Sequence, residues 1–76
     1  MDVITATVDA RGKSCPGPLV ALHKVLKDAR AGDLFELLAT DPGSKSDVPS
    51  WAKLSGNELL EAGETSGVYR YVIRKV

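Results

Sequence analysis

Apolar and polar residues alternate along residues 1–10, setting Ile4, Ala6 and Val8 on one face and Val3, Thr5, Thr7 and Asp9 on the other, the period-two signature of a β-strand. From residue 16 to about 31 the period lengthens. Leu19, Leu22, Val25, Leu26 and Ala29 recur at helical spacing, Lys24 and Lys27 fall outside the stripe, and Arg30 followed by Gly32 reads as a helix end. Alternation returns over residues 33–40, with Phe35, Leu37 and Ala39 against Leu34, Glu36, Leu38 and Thr40. Asp41, Pro42 and Gly43 break that strand. Ser44 to Pro49 opens a second helix reaching about Ser55, and Gly56 with Asn57 closes it. Ser44 and Asp47 are spaced as a capping box, but Pro49 would then lie inside the helix, so Ser46 or Asp47 is an alternative cap. Residues 57–63 and 68–76 read as two strands joined across Glu64, Thr65, Ser66 and Gly67.

The order βαβαββ predicts an α/β (α+β) two-layer sandwich, with a four-stranded mixed sheet and two helices on one face. The other face is then open to water. If Tyr69, Tyr71 and Ile73 point to the helices, Thr5, Thr7, Glu36, Glu61, Arg70 and Arg74 share the open side, with opposite charges crossing between strands. Seventy-six residues, 43% of them hydrophobic, suit a single domain spanning 1–76.

One cysteine and one histidine leave no intramolecular disulfide and no single-chain zinc site, so neither metal nor cofactor is expected. The cysteine usage, the lack of a membrane-length apolar run and an N-terminus too strongly alternating for a signal peptide point to the cytoplasm. Ten basic and ten acidic residues cancel, which removes any global pull toward nucleic acid or membrane. Their distribution is uneven. Arg11, Lys13, Lys24, Lys27 and Arg30 make the cysteine end basic, and Asp33, Glu36, Asp41, Asp47, Glu58, Glu61 and Glu64 make the middle acidic.

Candidate chemistry centres on the sole cysteine, Cys15, which stands before Pro16, Gly17 and Pro18 where the extended pattern gives way to the helical one. Proline fits the first helical turn because no intrahelical bond is lost there. That register makes Cys15 the N-cap, Pro16 N1, Gly17 N2 and Pro18 N3, where free N–H groups and the helix dipole favour a thiolate. Of N2 and N3 only Gly17 keeps an N–H. The thiolate is therefore favoured without being over-stabilised, which suits a sulfur that must accept and release a partner, since nucleophilicity falls with pKa. Gly17 also has no side chain to cover the sulfur. Arg11 and Lys13, the nearest basic residues in sequence, are candidates for lowering the thiol pKa or for docking partners; ordinary loop solvation is their alternative reading.

Four ordered blocks resemble the TusA family of small sulfur-carrier proteins, which includes the SirA and YedF relatives. They are Val8-Asp9-Ala10-Arg11-Gly12, the C-P-x-P signature Cys15-Pro16-Gly17-Pro18, Ala39-Thr40-Asp41-Pro42 with Asp47-Val48-Pro49-Ser50-Trp51, and Tyr69-Arg70-Tyr71-Val72-Ile73-Arg74-Lys75. The resemblance implies the same two-layer fold. It also implies that Cys15 takes sulfane sulfur as a persulfide and passes it on, a sulfurtransferase-type relay without independent turnover. Donors in the family include cysteine desulfurases and rhodanese-like proteins, and acceptors include DsrE-like proteins. Downstream uses include tRNA thiolation, sulfur oxidation, molybdenum cofactor assembly and selenium metabolism. Some members carry another cysteine in the second helix, where this chain has Ala52, so a one-thiol carrier is implied.

Other readings compete. Cys15 could serve a thiol-based redox sensor, needing an intermolecular partner, or be only a helix cap in a regulatory or nucleic-acid-binding module. His23 lies eight residues past Cys15, about 12 Å along one helix, which excludes a Cys/His dyad and makes it a surface residue. Trp51 reads as core or core edge, and Asp41 and Asp47 as strand terminator and helix cap. Tyr69 and Tyr71 imitate a nucleic-acid stacking platform only if they face away from the helices.

Overall fold

The computed structural model describes residues 3–13 and 17–76, with the Pro18 side chain set apart. Strand β1 (Ile4–Ala10) leads to α1 (Gly17–Lys27), β2 (Leu34–Ala39), α2 (Ser44–Ser55), β3 (Glu58–Thr65) and β4 (Val68–Arg74). The sheet order is β1-β2-β4-β3, with β1 and β2 parallel and the other two pairs antiparallel. This is the expected βαβαββ mixed sheet. Both helices touch the sheet and each other on one face.

Between the layers lies the core: Val8, Ala10, Phe35, Leu37, Tyr71 and Ile73 from the strands, Leu22 and Leu26 from α1, and Val48 from α2. Burying such side chains is worth about 1.5–3 kcal/mol each. Trp51 packs at the core edge and His23 is exposed, as the helical stripes require. Tyr71 lies in the core and Tyr69 packs against it, so the open face has no tyrosine platform. That face instead carries crossing charges. Arg70 bridges Glu36 and Glu61, Arg74 pairs with Glu58, and the Thr7 hydroxyl donates to Glu36 Oε1 at 2.9 Å. Arg70, then Thr7, holds the Glu36 carboxyl below its ordinary range.

Several boundaries and faces differ from the pattern-based expectation. The register of β1 shifts between Ile4 and Ala6, so Thr5 is an extra residue whose Oγ1 accepts the Leu34 N–H at 3.3 Å. Ile4 consequently pairs with Leu34 and moves to the open face, where it lines a hollow with Leu60 and Val72. A second shift, between Leu59 and Glu61, sends Leu60 to the same place. Helix α1 stops at Lys27 rather than near 31, because the Asp33 carboxylate takes the Arg30 N–H and a turn closes between Arg30 and Asp33. Strand β3 runs to Thr65, since the hairpin turns on Ser66 and Gly67 alone, both at positive φ as a two-residue type I′ turn demands.

The capping box on α2 is also corrected. Gly43 is the N-cap with no side-chain bond, and the buried Ser44 hydroxyl sits 2.7 Å from the Tyr71 hydroxyl instead. Pro49 does lie inside the helix, where it removes the bond due to the Lys45 carbonyl.

Candidate functional site

Parallel pairing of β1 and β2 brings both following segments, residues 11–13 and 40–43, to the same end of the sheet, the carboxyl end where open α/β sheets place their ligands. Ser14, Cys15 and Pro16 lie outside the described residues, as does the Pro18 side chain, and with them the N-cap register expected for Cys15. On either side the chain is described from Lys13 backward and from Gly17 forward.

Upstream, the loop is pinned three ways. Arg11 N–H donates to Asp9 Oδ1 at 3.1 Å, Gly12 N–H to Thr40 Oγ1 at 2.9 Å, and Lys13 N–H to Ala10 O at 3.2 Å. Gly12 sits at φ +81°, a conformation that only glycine adopts freely. The hydroxyl of Thr40 thus ties the β1 loop to the end of β2. No local pattern announces this contact, since its partners are 28 residues apart.

The two basic candidates part company here. Arg11 turns back onto Asp9, with Nε to Oδ1 and Nη2 to Oδ2 both at 2.9 Å, a bidentate pair that holds the Asp9 carboxyl down at about 2. Its charge is largely matched there. Among the described residues Lys13 has no such partner, and its stem lies across Gly17: a Cβ built on Gly17 would meet Lys13 Cβ at 3.2 Å and Cδ at 3.7 Å. Gly17 therefore makes room for the lysine stem that crosses the start of α1.

Beside this junction, Lys13 and Gly17 open onto a groove of about 660 Å³ between β1 and α1. Val20 and Lys24 belong to its wall. A weak signal for it exists in the sequence, because Val20 falls off the apolar stripe of α1.

The family model described as Sulfurtransferase TusA matches residues 6–75, a span that takes in most of β1, both helices and the whole Cys15 motif. The chain belongs to the TusA family. Similar members include the Sulfur carrier protein TusA of Pseudomonas entomophila, 43% identical over 70 residues, covering 92% of this chain and 88% of the relative. The Sulfur carrier protein TusA of Pseudomonas aeruginosa is 40% identical over 72 residues, covering 95% and 91%. Among solved structures, the SirA-like protein from Desulfitobacterium hafniense aligns with a TM-score of 0.74 at 29% identity, covering 92% of this chain and 96% of that one. The βαβαββ order with both helices on one face thus has a solved counterpart at TusA-family length. Among the described residues no helix is long and apolar enough to cross a membrane.

Proposed function

We propose that this TusA-family chain is a sulfur carrier that holds sulfane sulfur as a persulfide on Cys15, between a protein donor and a protein acceptor. The observation that carries the reading is the family match over residues 6–75, which spans the only cysteine of the chain. Relatives of near-equal length are named sulfur carriers, and Cys15 is the one thiol available for that task.

The chemistry asks little of the rest of the protein. The Cys15 thiolate attacks the outer sulfur of a donor persulfide; a new S–S bond forms to Sγ, the donor's S–S bond breaks, and the donor thiolate leaves. Later an acceptor thiolate attacks the outer sulfur in turn, and Cys15 departs as thiolate. Each step exchanges one S–S bond for another, so no external oxidant or reductant is consumed. Pro16, Gly17 and Pro18 start the helix whose dipole favours the thiolate. Lys13 supplies positive charge beside it. Arg11, paired with Asp9, fixes the approach of the loop. Cysteine desulfurases or rhodanese-like proteins are the donors in this reading, DsrE-like proteins the acceptors, and the cytoplasm the setting.

Incubation with a cysteine desulfurase, pyridoxal phosphate and cysteine, followed by intact mass measurement, tests the proposal. One added sulfur on the wild type, absent from Cys15→Ser and removed by dithiothreitol, is the expected result. An unmodified wild type under conditions that load a known carrier overturns it.

A further inference from the structure

The groove between β1 and α1 has a chemical bias that the rest of the surface lacks. Val8, Val20, Ala21 and Val25 wall it, and among the described residues Lys13 and Lys24 are the charged ones that line it. Val20 is 47% exposed, an unusual place for a large aliphatic side chain on an otherwise amphipathic helix. Lys13 stands where the groove meets the Cys15 loop, and Lys24 lies seven residues past Gly17, about 10 Å along α1. Among the described residues neither ammonium has a carboxylate within ion-pair distance. Arg11, the other cation of the loop, is committed to Asp9. By contrast, the hollow around Ile4 and Leu60 on the open face is lined by Glu61 and Arg70, which already pair with each other.

One side of the groove is β1, an outer strand that pairs only with β2. Its outer edge has no strand neighbour, so an extended chain can lie alongside it. We propose that this groove receives an extended segment of the protein that exchanges sulfur with Cys15, one that sets apolar side chains against Val20 and Val25 and carboxylates toward Lys13 and Lys24. The inference rests on the carrier reading of Cys15 for the identity of the partner. Docking of this kind brings the partner's sulfur to the start of α1 by two weak, charge-selective contacts and a small apolar one, which suits a partner that must leave after transfer.

Thiopyridyl mixed disulfides of three synthetic peptides, Asp-Leu-Cys-Leu-Asp, Lys-Leu-Cys-Leu-Lys and Asp-Ser-Cys-Ser-Asp, are the probes. The Cys15 thiolate attacks the peptide sulfur and expels thiopyridone, whose release gives the rate; dithiodipyridine is the neutral reference for intrinsic thiol reactivity. Wild-type protein at low salt is expected to favour the acidic apolar peptide over the basic one about tenfold, relative to that reference. The preference falls to about twofold or less in Lys24→Glu and at high salt, and the advantage over the serine peptide shrinks in Val20→Asp. Both substituted positions are exposed, and circular dichroism checks that the variants fold. Equal relative rates for all three peptides with wild type, or a preference unchanged in both variants, overturn the groove. Persulfide loading of Cys15 is measured separately by mass: loading without peptide preference sinks the groove alone, and preference without loading supports the groove while sinking the carrier reading.

Discussion

Each of the two parallel strands hands over to a helix through a segment built on Pro-Gly: Cys15-Pro16-Gly17-Pro18 after β1 and Asp41-Pro42-Gly43-Ser44 after β2. The second junction is closed by its own residues. Asp41 Oδ1 accepts the Gly43 N–H at 3.2 Å, the Asp41 carbonyl accepts the Ser44 N–H at 3.0 Å, and the Ser44 hydroxyl is buried against Tyr71. The first is held by Asp9 and Ala10 of its own chain segment and also from outside, by Thr40 just past the end of β2, and its described side chains leave Lys13 and an apolar groove facing solvent. Similar letters thus produce a structural hinge point in one place and a surface that can meet partners in the other. What separates them is burial: the second junction sinks a hydroxyl into the core against Tyr71, and the first leaves Arg11, Gly12 and Lys13 exposed.

Ser44→Ala breaks the closed junction most severely. It leaves the Tyr71 hydroxyl buried without a partner, so urea denaturation is expected to show a loss of about 1–3 kcal/mol, with persulfide loading of Cys15 unchanged. Tyr71→Phe costs less, and the double variant loses less than the two singles combined, because they remove one interaction. Thr40→Val reverses the emphasis. Stability falls by about 1 kcal/mol, but the rate of Cys15 alkylation by iodoacetamide and its pH midpoint both move, and Thr40→Ser restores them. Equal effects of Ser44→Ala and Thr40→Val on alkylation would erase the distinction between the junctions. Gly12→Ala enters open space and meets only the strain of φ +81°, about 1–2 kcal/mol at most.

Titration sharpens the comparison further. Burial pushes the Tyr71 hydroxyl above its ordinary value of 10, with Ser44 acting in the opposite direction. Its folded form thus keeps the proton longer than the unfolded chain does, so this contribution to stability is present below pH 10 and is lost as pH rises beyond it. Alkaline unfolding monitored by tyrosinate absorbance should therefore be cooperative in the wild type, and Tyr71→Phe should shift its onset upward. At the open junction the smallest effect is expected. The Asp9 carboxyl, held at about 2 by Arg11 against an ordinary value of 3.8, adds stability above the higher value that fades as pH falls through the lower one. Carbon-detected NMR should find that midpoint, and Arg11→Ala should return it toward 3.8.

Much of this architecture can be read from residue spacing alone. Leu19, Leu22, Val25 and Leu26 do line the core side of α1, Ala29 packs on the core past the helix end, and Phe35, Leu37 and Ala39 do face the helices. Alternation misplaces Ile4 because a period-two reading assumes no inserted residue, and a bulge at Thr5 has no compositional mark. The end of α1 is misread for a different reason: Asp33, three residues on, competes for the Arg30 N–H more effectively than the helix does. At the candidate site, Cys15 and its prolines stand out in sequence, but Thr40 and the groove do not. Both depend on which strand lies next to β1, and that is settled by topology rather than by neighbours in the chain. The Asx-type turn of Asp41 onto Gly43 is a missed feature with a clear local clue, in the order Asp-Pro-Gly.

The bulges at Thr5 and Leu60 fall on the two outer strands at the end of the sheet opposite to where residues 11–13 leave β1. Both rims of the sheet are kinked there, so a second copy sliding in to extend the ladder meets a mismatched template whichever side it tries. Protein molecules crowded together are thereby discouraged from zipping into ribbons, and only the straight stretch of β1 nearest residues 11–13 stays receptive to visitors.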